Sequence, residues 1–276
     1  PHQKVLKMPA NSISFNRFLC LFCLQMTLIP LTYGELPAFS HNDLQWLGER
    51  VFANECASQF ECLTSWNEGE DFPSLGIGHF IWYQAGQDEI FEESFPALIE
   101  YYRQENYPLP QWLSELAVID SPWRSRNEFY QNFDSQAMTE LRHFLADSTE
   151  IQVGFIVQRM QQSLPSLFSS LSTDEASILE SRFYTLANSS SPYGVYALID
   201  YVHFKGSGTK ITERYRGQGW GLVQVLQQMK EGEALDAFVR SAAEVLERRV
   251  ANAPTERREQ RWIQGWKNRL TTYLPP

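Results

Sequence analysis

Positive charge and cysteine are both scarce in this chain. Only 23 lysines and arginines stand against 33 acidic residues, a formal charge of −10 over 276 residues. Phosphate binding needs a basic patch that releases counterions, and none is evident outside the C-terminal segment, so nucleic acid is not an expected partner. The same imbalance gives no general attraction to an anionic membrane. The four cysteines, Cys20, Cys23, Cys56 and Cys62, are accompanied by no second Cys or His pair at ligand spacing, and neither a metal nor an organic cofactor is expected. No Gly-x-Ser-x-Gly elbow occurs, and His79, His143 and His203 have no evident Ser or Cys nucleophile beside them. The glycine-rich stretches GSGTK (206–210) and GQGWG (217–221) lack phosphate-loop and dinucleotide spacing, and both follow a helical pattern instead of a strand.

Long apolar runs are missing too. FLCLFCLQMTLIPL (18–31) is too short for a comfortable membrane span, follows Lys4, Lys7 and Arg17, and reads as a secretory leader over residues 1–34 with Met8 as its natural start. An uncleaved anchor is the competing reading. Removal of residues 1–34 takes three basic residues and no acidic one, which moves the formal charge from −10 to −13. It also removes Cys20 and Cys23. Cys56 and Cys62 then lie in an exported, oxidising setting where a short-loop disulfide is expected, with two buried thiols as the alternative. An exported protein, periplasmic or extracellular, with no stable membrane insertion once the leader is gone, is the resulting picture.

What is present is material for a core: 43% of the residues are hydrophobic and 14% aromatic, enough for one large domain or two small ones. SHNDLQWLGERVFANE (40–55) carries a cap candidate at Ser40 and the apolar residues Leu44, Leu47, Val51 and Phe52 on one helical face. From Glu55 to Tyr83 the helical period disappears, turn formers cluster at NEGEDFPS, and LGIGHFIWY reads as strand, so a small hairpin or three-stranded sheet is expected. Beyond it the pattern is helical throughout. YGVYALIDYVHFKGSG is nearly continuous in apolar and aromatic residues and predicts a central buried helix. EGEALDAFVRSAAEVLERRV and TERREQRWIQGWKNRLTTYL predict amphipathic helices packed outside it.

The carboxylates carry the chemistry. Glycoside hydrolysis needs one protonated carboxylic acid and one ionised carboxylate, kept apart in pKa by their surroundings. Glu55 ends the first helix among Phe52, Ala53 and Cys56, where partial burial favours the protonated form, and Glu68 lies in a polar turn with Asn67, Gly69 and Glu70. Taken alone, such residues are most often solvated surface.

The residues that follow change that weighting. Ser74-Leu75-Gly76-Ile77-Gly78-His79 after an acidic turn resembles the lysozyme-like superfamily, most closely the phage-type lysozymes. There a catalytic Glu ends the first helix, an acidic residue lies in the hairpin, and Thr or Ser opens a Gly-Ile-Gly-His strand. ALIDYVHFKG (197–206) is similar to the family's central helix. The resemblance implies an α+β lysozyme-like fold, mostly helical, spanning 35–276 with a β-lobe at about 56–83 and a helical lobe at about 92–276. It implies Glu55 as the general acid, Glu68 as the ionised partner and Ser74 as a hydroxyl that holds the nucleophilic water. The Glu55–Ser74 segment is longer than the family pattern, which leaves Glu61, Glu70 and Asp71 as alternatives to Glu68.

Trp66 is the expected sugar-stacking ring, with Gly76, Gly78 and Tyr201 also at the substrate, while Trp82 and Tyr83 flank the hairpin and His203 shares the central helix. Arg214, Gln218 and Trp220 are candidates for the border of the cleft. His79 is expected to be structural, bonded to an acidic residue across the lobes. The implied activity is hydrolysis of β-1,4 links in an amino-sugar polymer, peptidoglycan first. A chitosanase-like hydrolase of a cationic glucosamine polymer and a non-catalytic glycan-binding envelope protein are the rivals.

Overall fold

Ser40 starts the first helix by a reciprocal cap: its hydroxyl accepts from Asp43 N (3.2 Å) and the Asp43 carboxylate accepts from Ser40 N (2.9 Å). The computed structural model describes residues 34–89 and 91–276, so the expected leader falls outside the described residues except for Gly34. The helix, α1 (His41–Cys56), buries Leu47 and Val51 against α6 (Thr149–Leu167). Its end is sharp. Ala57 and Ser58 take left-handed φ of 49° and 56°, and the Cys56–Cys62 disulfide closes the loop they form.

A three-stranded antiparallel sheet follows, β1 (Thr64–Ser65), β2 (Ser74–Leu75) and β3 (Phe80–Ile81), with β2 in the centre. The expected Gly-Ile-Gly-His strand is therefore a strand and a turn. Leu75 pairs with Phe80, which leaves Gly76–His79 as the reversal, with Gly76 at φ +67° and His79 at φ +48°. Gln152 fastens this turn to α6: its Oε1 accepts from Ile77 N (2.9 Å) and its Nε2 donates to Leu145 O (2.6 Å).

The rest is helical: α2 (Phe95–Gln104), α3 (Gln111–Ser114), α4 (Arg126–Gln131), α5 (Gln136–Asp147), α6, α7 (Thr173–Ala187) and α8 (Tyr193–Lys205). The coarse expectation of a mostly helical α+β chain with a small sheet is met. The central buried helix is α8, where Val195, Ala197, Leu198 and Tyr201 are fully buried and α6, α7 and α9 (Leu222–Gln228) pack around them. No helix among the described residues is long and apolar enough to cross a membrane.

Two departures have local causes. Between α8 and α9 a two-stranded ribbon, β4 (Arg214–Tyr215) and β5 (Gln218–Gly219), replaces the expected helical pattern, because Arg216 and Gly217 both adopt positive φ, the turn that fits a hairpin's twist. After α10 (Ala234–Asn252), the segment expected as one helix breaks into two short 3-10 turns and α11 (Ile263–Thr271). Pro254 cannot continue α10, and Arg258 takes φ +49°, which turns Glu259 inward.

Candidate active site

Glu55 occupies the penultimate position of α1, with its side chain 20% exposed. Its surroundings differ from the apolar pocket expected from Phe52, Ala53 and Cys56. Arg269 Nη2, from α11, donates to Glu55 Oε1 (3.1 Å), and His79 Nδ1 lies 3.9 Å from Oε2. His79 thus faces an acidic residue on another element, as expected, at a distance too long for a direct hydrogen bond.

Arg269 is positioned by Asp200 on α8. Its Nε and Nη2 donate to the two Asp200 oxygens (2.8 and 2.7 Å), a fork that suits a carboxylate. Asp200 is 2% exposed and also accepts from Tyr273 Oη–H (2.6 Å) and Asn54 Nδ2 (2.7 Å), so the buried charge has four donors. Burial works against the Arg269 charge, but the Asp200 hydrogen bonds and the Asp200 and Glu55 charges outweigh it and hold the guanidinium above its ordinary value. Burial, with the Asp200 charge, also pushes the Tyr273 phenol well up. Asn54 further donates to Tyr196 Oη (2.7 Å). Glu55 is therefore held by a preformed lattice spanning α1, α8 and α11.

A cavity of about 320 Å³ runs between the sheet and the helices, lined by Gly78, Phe80, Ile156, Arg159, Ile199 and His203 among others. Neither Glu55 nor any other carboxylate is in its wall among the described residues, and its link to Glu55 is Gly78, the chain neighbour of His79. His203 is open to solvent yet ringed by protein. That enclosure pushes its imidazole down from the ordinary value, while the Glu55 and Asp200 carboxylates oppose the shift. Arg159 also reaches Glu92 at 3.0 Å.

The remaining expected residues divide. Ser74 opens the central strand and is buried. Glu68 is exposed in the turn between β1 and β2 beside Gly69 at φ +85°, Glu61 and Asp71 are exposed, and Glu70 accepts from Asn67 Nδ2 (3.1 Å). Trp66 is 2% exposed, its indole N–H donating to Glu70 O (2.7 Å) and its ring edge-on to Phe129. Tyr201 is fully buried and donates to Trp220 O (2.8 Å). Neither ring offers a face to a sugar, because each satisfies its polar tip inside the core. The glycines also serve packing, since a Cβ on Gly76 would collide with Gln152 Oε1 and one on Gly78 would meet the Phe80 ring at 2.5 Å.

Of the residues proposed to border the cleft, Trp220 is buried under Tyr215 and Arg249, while Arg214 and Gln218 are exposed on the ribbon. The three donors Cys56, Cys62 and His79 cluster within 4.8 Å, although the two sulfurs are joined as a disulfide. Comparison with protein-family models, with curated proteins and with solved structures finds no match for this chain.

Proposed function

We propose that this protein is a lysozyme-like glycoside hydrolase that cleaves β-1,4 links of an N-acylated amino-sugar polymer, peptidoglycan in the first place. The observation that carries the reading is the placement of Glu55. It is a partly exposed carboxylate at a helix end, held by Arg269 and faced by His79, whose chain neighbour Gly78 lines a groove between a small sheet and a helical body. Glu55 is the proton donor to the leaving oxygen. Glu68, exposed in the β1–β2 turn, is the ionised partner, and Ser74 the hydroxyl near the attacking water. Tyr130 and Phe91, both exposed near the sheet, are better placed than Trp66 to meet a ligand face.

The groove wall favours an acylated polymer over a cationic one. Its charged and titratable groups are Arg159 and His203, and its body is Phe80, Ile156, Met160 and Ile199, which suits an acetamido methyl and repels a glucosammonium chain. The overall negative charge therefore lies outside the groove wall. The apolar run near the N-terminus and the Cys56–Cys62 bridge support export to an oxidising compartment, where such a polymer is met.

Release of soluble fragments from purified peptidoglycan and from chitosan, with the new chain ends identified by mass, tests the reading. Turnover of peptidoglycan that disappears in Glu55→Gln is expected. Turnover of chitosan alone would reverse the substrate assignment, and binding without turnover on either polymer would replace the enzyme with a glycan-binding protein.

A further inference from the structure

The disulfide and His79 form a group that proton delivery from Glu55 does not use. His79 Nε2 lies 4.0 Å from Cys56 Sγ and 3.8 Å from Cys62 Sγ. Its other nitrogen, Nδ1, lies 3.9 Å from Glu55 Oε2. Two sulfurs and an imidazole whose far nitrogen faces a carboxylate are the donor set and outer support of a zinc-type centre. The ring is fixed in this place by its backbone: His79 sits at φ +48° in the turn that Gln152 bolts to α6, and its N–H donates to Gly76 O (3.3 Å). While the bridge is closed, neither sulfur is a thiolate, and the thiolate is the ligand.

We propose that Cys56, Cys62 and His79 are a redox-gated site for a thiophilic divalent cation of the zinc class. A dithiol or phosphine reductant opens it. A dithiol gives two electrons and two protons to the bridge, the S–S bond breaks, two cysteine thiols form, and the dithiol closes to its own disulfide. The cation then displaces both thiol protons to solvent and takes Nε2 of the neutral imidazole, leaving Nδ1–H to donate to Glu55. Metal–sulfur bonds of about 2.3 Å need the sulfurs further apart than in a bridge, and rotation about the two Cα–Cβ bonds supplies that, since the Cα atoms are 5.5 Å apart. Three protein ligands leave a fourth position open beside Glu55. Bridge and metal centre are thus exclusive states of one cluster, and the state is set by the thiol poise around the protein. The proposal does not depend on glycosidase activity.

Cobalt(II) is the probe, because cobalt–thiolate bonds absorb in the near ultraviolet. The full chain, reduced with a phosphine under anaerobic conditions, is titrated beside the unreduced protein and reduced His79→Ala and Cys62→Ser. One cobalt per chain is expected in the reduced protein, displaced by one equivalent of zinc. No binding is expected in the unreduced protein or in Cys62→Ser, and His79→Ala should weaken binding by at least roughly 10-fold. Absence of the thiolate band in the reduced protein, an affinity equal in His79→Ala, or loss of the helical circular dichroism on reduction would each overturn the proposal.

Discussion

Two buried ion pairs flank the C-terminal part of α8, and they are built alike. Asp200 takes the Arg269 fork and a tyrosine hydroxyl from Tyr273. Glu259 takes the Arg249 fork (2.8 and 2.9 Å) and a tyrosine hydroxyl from Tyr215 (2.8 Å). Both carboxylates are almost wholly buried, Asp200 at 2% and Glu259 at 5%. The difference lies in what the arginine does next. Arg269 reaches a second carboxylate, Glu55, which is partly exposed, whereas Arg249 lies over the rings of Trp220 (4.1 Å) and Trp266 (5.0 Å). A paired buried charge is thus ordinary architecture in this chain. The additional, partly exposed carboxylate is what sets the first cluster apart.

Replacing that carboxylate should separate the clusters most strongly. Glu55→Gln is expected to lower turnover of peptidoglycan by about 10²–10⁴-fold, the usual contribution of a general acid, while thermal unfolding stays close to that of the parent because Asp200 still holds Arg269. Equal turnover in parent and variant would remove Glu55 from the chemistry. Next in size is Asp200→Ala. It strips a buried guanidinium and the Tyr273 hydroxyl of their partner, and should cost about 3–5 kcal/mol in denaturant unfolding and also lower activity through loss of Arg269 placement. A cost below about 1 kcal/mol would show that the lattice is not what fixes α11 against α8.

The legible and illegible parts of the molecule differ in range. α1 could be read because its cap and apolar stripe are local, and α8 because thirteen residues in a row are nearly all apolar or aromatic. The position of Glu55 at a helix end and the Cys56–Cys62 bridge were within reach for the same reason. Arg269 was not: it lies 214 residues from Glu55, in a helix whose pattern gives no sign that one arginine turns inward. Asp200 was hidden inside an apolar run, and an acidic residue with no exposed face in such a run is the signal that could have found the lattice. Trp66 and Tyr201 were misplaced because a ring reads alike in a core and on a ligand wall. Only the fold shows that Glu70 O and Trp220 O accept from them. The β4–β5 ribbon escaped because two-residue strands carry no period, although Arg216-Gly217 is a usable turn signal.

The second cluster should respond in stability alone. Glu259→Gln keeps the volume but leaves one oxygen to accept from Arg249 and sets an amide NH2 where the second oxygen accepted, an expected loss of about 1–3 kcal/mol with fragment release unchanged. A fall in turnover as large as that of Asp200→Ala would erase the distinction between the pairs.

The smallest effect belongs to Lys205, which lies between them. Its Nζ sits over the rings of Phe204 (3.8 Å) and Trp266 (3.5 Å), with no carboxylate in hydrogen-bond contact among the described residues. Burial, then the nearby Arg249 and Arg269 charges, pushes the amine down to about 7, with Glu259 acting the other way. The unfolded chain therefore binds more protons than the folded one between pH 7 and the ordinary lysine value near 10.5, so stability should rise with pH across that window. Below pH 7 the amine is charged in both states and the full penalty stands. Lys205→Met should accordingly be more stable than the parent at pH 6, with the gain shrinking as pH climbs from 7 toward 10, as read by denaturant midpoints. A difference that stays flat across that range would mean the two rings hold the ammonium form well enough to offset its burial, and the residue between the two pairs would then be a fixed cation instead of a titrating one.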